Sequence, residues 1–188
     1  MHFKDAGLPW LFLEAFLLMG AFVTMFNYIG YRLLADPYNL SQAVVGLLSL
    51  VYLSGIYSSA KIGSLADRLG RRRVLWATIV SMLAGIVLTL FTPLWLVIPG
   101  MLVFTFGFFG AHSVASSWIG RRAVKAKGQA SSLYLFCYYA GSSVAGTAGG
   151  FFWHFAGWNG IGGFIVALLI GALLVALKLA KLAPLQTA

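Results

Sequence analysis

Two side chains of this 188-residue sequence could exchange a proton within apolar surroundings: Glu14, inside the run Trp10 to Leu33, and His112, inside Trp95 to Trp118. Histidine changes charge near neutral pH, and burial shifts a carboxyl toward that range, so the two are candidates for coupling a proton to another event. A histidine satisfied inside a packed core is the competing reading of His112. A second set of residues is suited to binding rather than reaction. Thr24, Asn27, Tyr28 and Tyr31 fall at i, i+3, i+4 and i+7, which puts hydroxyl, amide and aromatic groups on one helix face. Thr105, His112 and Ser116 keep a similar register, as do Tyr134, Tyr138 and Ser142. Asn27, Tyr28, Tyr31, His112 and Tyr138 are therefore candidates for contacting a small solute. Hydrogen bonds between helices, or an aromatic belt at an interface, would use the same residues.

The elements that must hold these groups follow from composition. Hydrophobic residues make up 61% and charged residues 9%, with mean hydropathy +0.91. A water-facing surface needs about 25% charged residues, so a soluble domain is excluded. Six apolar runs are marked by turn signals: 10–33, 42–62, 74–91, 95–118, 131–152 and 158–179. Each suits a spanning helix, which needs about 20 apolar residues. They predict an all-α integral membrane protein forming one domain over 1–188. The runs are continuously apolar rather than alternating, which argues against a barrel. The first is long and lacks a short basic flank with a cleavage site, so it is expected to be a retained span and not a leader.

Charge then orients the chain. Thirteen Lys and Arg face four Asp and Glu. With six spans, Lys4, Lys61, Arg68, Arg71, Arg72, Arg73, Arg121, Arg122, Lys125, Lys127, Lys178 and Lys181 share one side, and Arg32 falls opposite. The positive-inside rule places both termini in the cytoplasm. The basic excess is thereby read as topology, and no nucleic-acid partner is expected. Cys137 is the single cysteine, so neither an intrachain disulfide nor a thiolate metal site is expected. No metal-ligand spacing, Walker motif or dinucleotide fingerprint occurs, and no cofactor is expected. Gly141-Ser142-Ser143 with His154 suggests a nucleophile and its base. Intramembrane serine proteases use Gly-x-Ser-Gly, however, and Val144 stands at the final glycine, so an enzyme is not expected.

The densest pattern is Gly63-Ser64-Leu65-Ala66-Asp67-Arg68-Leu69-Gly70-Arg71-Arg72-Arg73, expected to be a loop between the second and third spans. Its one acid among arginines calls for an ion pair or a helix-end contact, while Gly63 allows close approach and Gly70 a tight reversal. A solvated loop on anionic lipid would explain the arginines but neither the glycines nor the acid. The run resembles the signature Gly-x-Leu-Ala-Asp-Arg-x-Gly-Arg-Arg of the major facilitator superfamily. That resemblance makes Gly63, Asp67, Arg68, Gly70, Arg71 and Arg72 elements of a cytoplasmic gate. Gly141 to Gly150 resembles, more loosely, the antiporter motif G-x-x-x-G-P-x-x-G-G, departing from it at Ala145 and Gly146.

The stretches FLLMGAFVTMFNYIGYRLL, SQAVVGLLSLVYLSG, AHSVASSWIGRRAVKAKGQASSLYLFCYYAGSSVAG and GGFFWHFAGWNG are similar to the C-terminal half of arabinose-efflux-like members of that superfamily. The resemblance implies one half of a twelve-helix transporter, built from two inverted three-helix repeats, with the N-terminal half absent. It implies alternating-access transport of a small organic solute, as proton-coupled efflux, in a bacterial inner membrane. The partners would be the lipid bilayer, the solute, and a complementary half or a second copy. A truncated membrane protein that does not transport is the alternative.

Overall fold

A computed structural model describes residues 5–182, so Lys4, counted above for topology, lies outside the described residues. The elements of the described chain are all helices, joined by short turns. Helix α1 runs Leu8–Leu34, α2 Gln42–Leu47, α3 Tyr52–Leu69, α4 Arg71–Thr89, α5 Leu94–Arg122 and α6 Lys127–Lys181. A single 3-10 turn, Leu48–Val51, joins α2 to α3, so 42–69 forms one continuous rod. Among the described residues, five helices are long and apolar enough to cross a membrane when that rod and α6 are each taken as one.

Helix α6 is not straight. At Ala156 and Gly157 the backbone leaves helical geometry, and Gly157 takes φ 54, a left-handed conformation that glycine adopts without a Cβ clash. The ring of Phe152 stacks on that of Phe164 with centroids 4.3 Å apart. Twelve residues of straight helix would separate them by about 18 Å. The chain therefore folds back on itself at 156–157, giving α6 two arms.

Packing follows from small residues and apolar surface. Helix α1 is the most enclosed, with 61% of its most apolar stretch buried, and rests chiefly on α6. The α2–α3 rod is the least enclosed, at 17%. Helices α4 and α5 meet backbone to backbone: a Cβ on Gly85 would stand 2.5 Å from the Phe104 amide nitrogen, and one on Gly107 2.6 Å from the Thr78 carbonyl oxygen. Between lipid-solvated helices, such close approach supplies van der Waals contact that bulkier residues would prevent.

The expected loop at 63–73 is helix apart from one residue. Helix α3 continues seven residues past the apolar run, through Asp67 and Arg68 to Leu69, and α4 begins at Arg71. Gly70 alone makes the reversal at φ 90. A glycine at this position ends one helix and lets the next begin at once, so a longer loop is unnecessary.

Candidate functional site

The two ends of the bundle are tied differently. At one end, Arg32 in the last turn of α1 donates to the Thr89 and Phe91 carbonyls, the latter at 2.8 Å, and to the Tyr38 hydroxyl at 2.9 Å. Its guanidinium lies 5.3 Å from the Trp158 ring centroid, and the Trp158 indole also donates to the Thr89 carbonyl at 2.9 Å. Arg32 thus satisfies carbonyls exposed by the end of α4, where a cation is favoured.

The other end gathers the motif. Asp67 accepts hydrogen bonds from Arg71, one turn later across Gly70, and from Arg121 at the end of α5, at 3.2 Å. Arg71 also donates Nε to the Ser117 hydroxyl at 3.3 Å. Arg72 donates to the carbonyls of Ala180 at 3.0 Å and of Leu182, which brings in the end of α6. Asp67, Gly70, Arg71 and Arg72 therefore belong to one assembly linking α3, α4, α5 and α6. The Arg68 side chain makes no hydrogen bond or ion pair among the described residues, and a Cβ on Gly63 would lie at an ordinary 3.4 Å from the Ser113 hydroxyl. Neither is drawn into the network.

An adjoining tie joins the start of α1 to α5. Asp5 accepts from the Gly7 and Leu8 amides at 2.8 Å each and pairs with the Arg122 guanidinium. Arg122 is buried, with 8% of its side chain exposed. Burial alone would raise the Asp5 carboxyl, but Arg122 and the two amides more than offset this and hold it below the usual carboxylate value. Asp5 and Arg121 were not read as site residues from the sequence. The signal for Asp5 was its position just before a helix start, where a side-chain acceptor serves free amides.

Between the ends, three helices bring Glu14, His112 and Tyr134 together. Glu14 on α1 is fully buried, and neither carboxyl oxygen has a hydrogen-bond partner. Helix α6 packs on α1, and its Tyr134 hydroxyl shares a 3.0 Å hydrogen bond with Nδ1 of His112 on α5. The Tyr138 ring sits 4.9 Å from the His112 ring, and Tyr139, 63% exposed, packs edge-on against Tyr138. The group thus runs from an enclosed acid to an open aromatic face.

Tyr28 and Tyr31 form a second cluster with Trp153, each ring centroid 6.0 Å from the indole. The Tyr28 hydroxyl donates to the Gly146 carbonyl at 3.0 Å, so part of its polar capacity holds α1 to α6. Asn27 and Tyr31 are exposed. The glycine pattern of α6 explains this seating: a Cβ on Gly149 would lie 2.6 Å from the Tyr28 ring, and one on Gly141 2.1 Å from the Phe16 carbonyl oxygen. Thr24 and Thr105 are buried with unpartnered hydroxyls, and Ser116 bonds within its own helix. Trp153 and Tyr139 escaped the sequence reading because aromatics inside an apolar run look like lipid-facing surface. Among the described residues, no three His, Cys, Asp or Glu side chains converge to hold a metal.

A bundle of apolar helices with this motif at one end defines a class of membrane carrier. The family model of the Major Facilitator Superfamily matches residues 11–187, and the chain belongs to that family. The inner membrane transport protein YnfM of Escherichia coli (strain K12) is 62% identical over 179 residues, which is 95% of this chain and 43% of that protein. An uncharacterized MFS-type transporter, YybF of Bacillus subtilis (strain 168), is 49% identical over 96% of this chain and 45% of its own length. The chain therefore spans less than half the length of these relatives. In fold it is similar to a bacterial homologue of the iron transporter ferroportin in an outward-facing state, with TM-score 0.75 at 16% identity, over 96% of this chain and 47% of that one. Together with its apolar helices, these relationships make it a multi-pass membrane protein.

Proposed function

We propose that the chain is one wall of a proton-coupled transporter that exports a small organic solute by alternating access. One observation carries the coupling: a carboxyl enclosed without a partner on α1, packed against the helix whose Tyr134 is bonded to His112 and whose Tyr138 leads to an open aromatic face. Burying an ionised group without a partner costs several kcal/mol. A state that ionises Glu14 must therefore open it to water or give it a partner, and that requirement links proton release to a change of conformation. Asn27, Tyr28, Tyr31 and Tyr138 are the solute contacts in this reading, and His112 with Glu14 the proton path. Asp67, Arg71 and Arg72, with Gly70 as pivot and Arg68 and Gly63 at its margin, form the gate.

The reading has six crossings. At 1.5 Å per residue, the 55 residues of α6 would reach about 80 Å if straight, far beyond a hydrocarbon core of about 30 Å. Its two arms are the fifth and sixth crossings, and three crossings on each side of the Thr92–Pro93 join make up the inverted repeats. The basic end then faces the cytoplasm with both termini, by the positive-inside rule.

Such a wall works opposite another, supplied by a complementary half or by a second copy. Reconstituted in proteoliposomes alone and with a candidate N-terminal half, the chain is expected to give proton-linked flux in one of the two cases, and Glu14→Gln to abolish it. Absence of flux in both would overturn the reading. A second reading, a membrane protein that does not transport, draws on the exposure of Tyr31 and Tyr139, which no surface among the described residues covers. A stable monomer in detergent that binds no partner would favour it, and a defined dimer would oppose it.

A further inference from the structure

The basic end contains more than the gate network uses. A cavity of about 790 Å3 opens among α4, α5 and α6, bordered by Arg71, Arg72, Arg73, Arg121 and Arg122. Two acids contact these five arginines, Asp67 and Asp5, so positive charge remains in excess. Arg73 is exposed, and its side chain makes no hydrogen bond or ion pair among the described residues. Gly70 and the first residues of α4 form part of the same wall, and α4 starts without any side-chain cap. The amides of Arg73 and Val74 bond back to the Gly70 carbonyl, and the earlier first-turn amides with the positive end of the dipole add to the arginines as an anion-binding surface.

The cavity also has an apolar continuation. A groove of about 370 Å3 between α3 and α4 shares Leu69, Arg73 and Trp76 with it. From there the groove descends past Ile62, Val74 and Phe106. Trp76 stands at the junction and Trp118 borders the cavity, and tryptophans are the residues enriched where a bilayer meets water. A basic chamber at interfacial height, opening directly into an apolar groove along the helices, has the polarity profile of a phospholipid. A free anion would leave the groove unfilled, and a neutral lipid would leave the arginines uncompensated.

We propose that the chamber and groove bind one anionic phospholipid of the leaflet at the basic end. Its phosphate lies by Arg73 and the α4 N-terminus, and an acyl chain lies along α3 and α4. Bound there, the lipid bridges the pivot at Gly70 to the end of α5, so its occupancy bears on the same contacts that Asp67 makes. The site is independent of Glu14 and of any solute, and it stands or falls apart from the transport reading.

The test uses the full chain in phosphatidylcholine vesicles that carry a minor fraction of phosphatidylglycerol with brominated acyl chains. Quenching of Trp76 is isolated as the difference between the chain and its Trp76→Phe variant. Brominated phosphatidylglycerol is expected to quench Trp76 more strongly than brominated phosphatidylcholine, with an advantage that shrinks as salt rises. Arg73→Gln lowers the apparent affinity about fivefold, the effect of one basic side chain near a lipid surface. Lys125→Gln, an equal change of charge on the same side but outside the cavity, leaves it unchanged, and Arg73→Lys retains most of it. Equal quenching by the two lipids would overturn the proposal, as would equal losses in R73Q and K125Q. Displacement of the phosphatidylglycerol by inorganic phosphate would overturn it too, by showing a site for a free anion. The salt dependence is read on the unaltered chain and does not depend on the variants folding.

Discussion

Replacing Glu14 by leucine tests whether the buried acid is present for stability or for function. Both of its oxygens lack hydrogen-bond partners and the side chain is fully enclosed, so the native state gains no compensating interaction for its polarity. An unsatisfied buried polar group costs about 1–3 kcal/mol by protein mutational measures. Leucine is close to glutamate in size and brings no polar atom, so Glu14→Leu should stabilise the chain by about that amount. For a chain of this length, 1 kcal/mol moves Tm by about 2–4 °C. The expected rise is therefore about 2–12 °C, read by thermal unfolding of the purified chain in neutral detergent. Glu14→Gln keeps an unpartnered polar group and should melt near the parent. In a transporting assembly both variants should lose proton-linked flux. A leucine variant less stable than the parent by 1 kcal/mol or more would refute the reasoning, because it would mean that Glu14 has a partner that holds the bundle together.

Three further perturbations address the ties between helices. Asp5→Asn keeps an acceptor for the Gly7 and Leu8 amides but removes the charge opposite Arg122, at a cost of about 1–3 kcal/mol at pH 7. Because the folded carboxyl titrates below its unfolded value, that stability is present above about pH 4 and is lost as pH falls through the folded value. Melting curves of the parent and the variant should converge in acid, and a gap unchanged at about pH 2 would contradict the ion pair. Asp67→Asn removes two exposed pairs contributing about 0.2–1 kcal/mol each, so the chain should still fold. In a functional assembly the variant should shift toward the inward-open state, and unchanged cysteine labelling on both sides would contradict this. Gly141→Ala places a Cβ against the Phe16 carbonyl and should destabilise by about 1–3 kcal/mol, whereas Gly46→Ala meets nothing within 4 Å and should be neutral or better. Comparable melts for the two alanine variants would show that α1 and α6 are not packed backbone to backbone.

Much of this was legible from patterns that act locally. Long apolar runs need no knowledge of neighbours to be read as helices, and Gly70 announced a reversal because few other residues accept positive φ. Where α3 ends was not legible. Hydropathy drops at Gly63, but helical geometry does not depend on hydropathy, and the rod continues to Leu69. The partners of charged residues were illegible for another reason. Spacing along one helix says which residues share a face, but not which distant helix lies opposite. Arg32 therefore stood out in the sequence only as the basic residue opposite the others, and its carbonyl partners at Thr89 and Phe91 lie 57 and 59 positions away. The Glu14, His112 and Tyr134 group likewise needed three helices in place.

The contrast between the two ends bears on which of them can open. Arg32 holds its end through bonds to backbone carbonyls, with aromatic faces of Tyr38 and Trp158 beside the guanidinium. Hydrogen bonds to charged groups contribute about 1.5–3 kcal/mol each, and none of these depends on another ionised side chain. The Asp67 pairs are exposed, screened by salt and individually small, and Arg71 and Arg121 compete for one carboxylate oxygen. The Asp67 contacts can therefore be exchanged at small cost, as the proposed gate would require, while Arg72 on the Ala180 and Leu182 carbonyls and the buried Arg122–Asp5 pair hold the rest of that end. Amide hydrogen exchange in the purified chain should accordingly be faster around Asp67 and Gly70 than around Thr89, and added salt should accelerate the former alone. Equal protection at the two ends, or a salt effect confined to Thr89, would place the moving part at the opposite end.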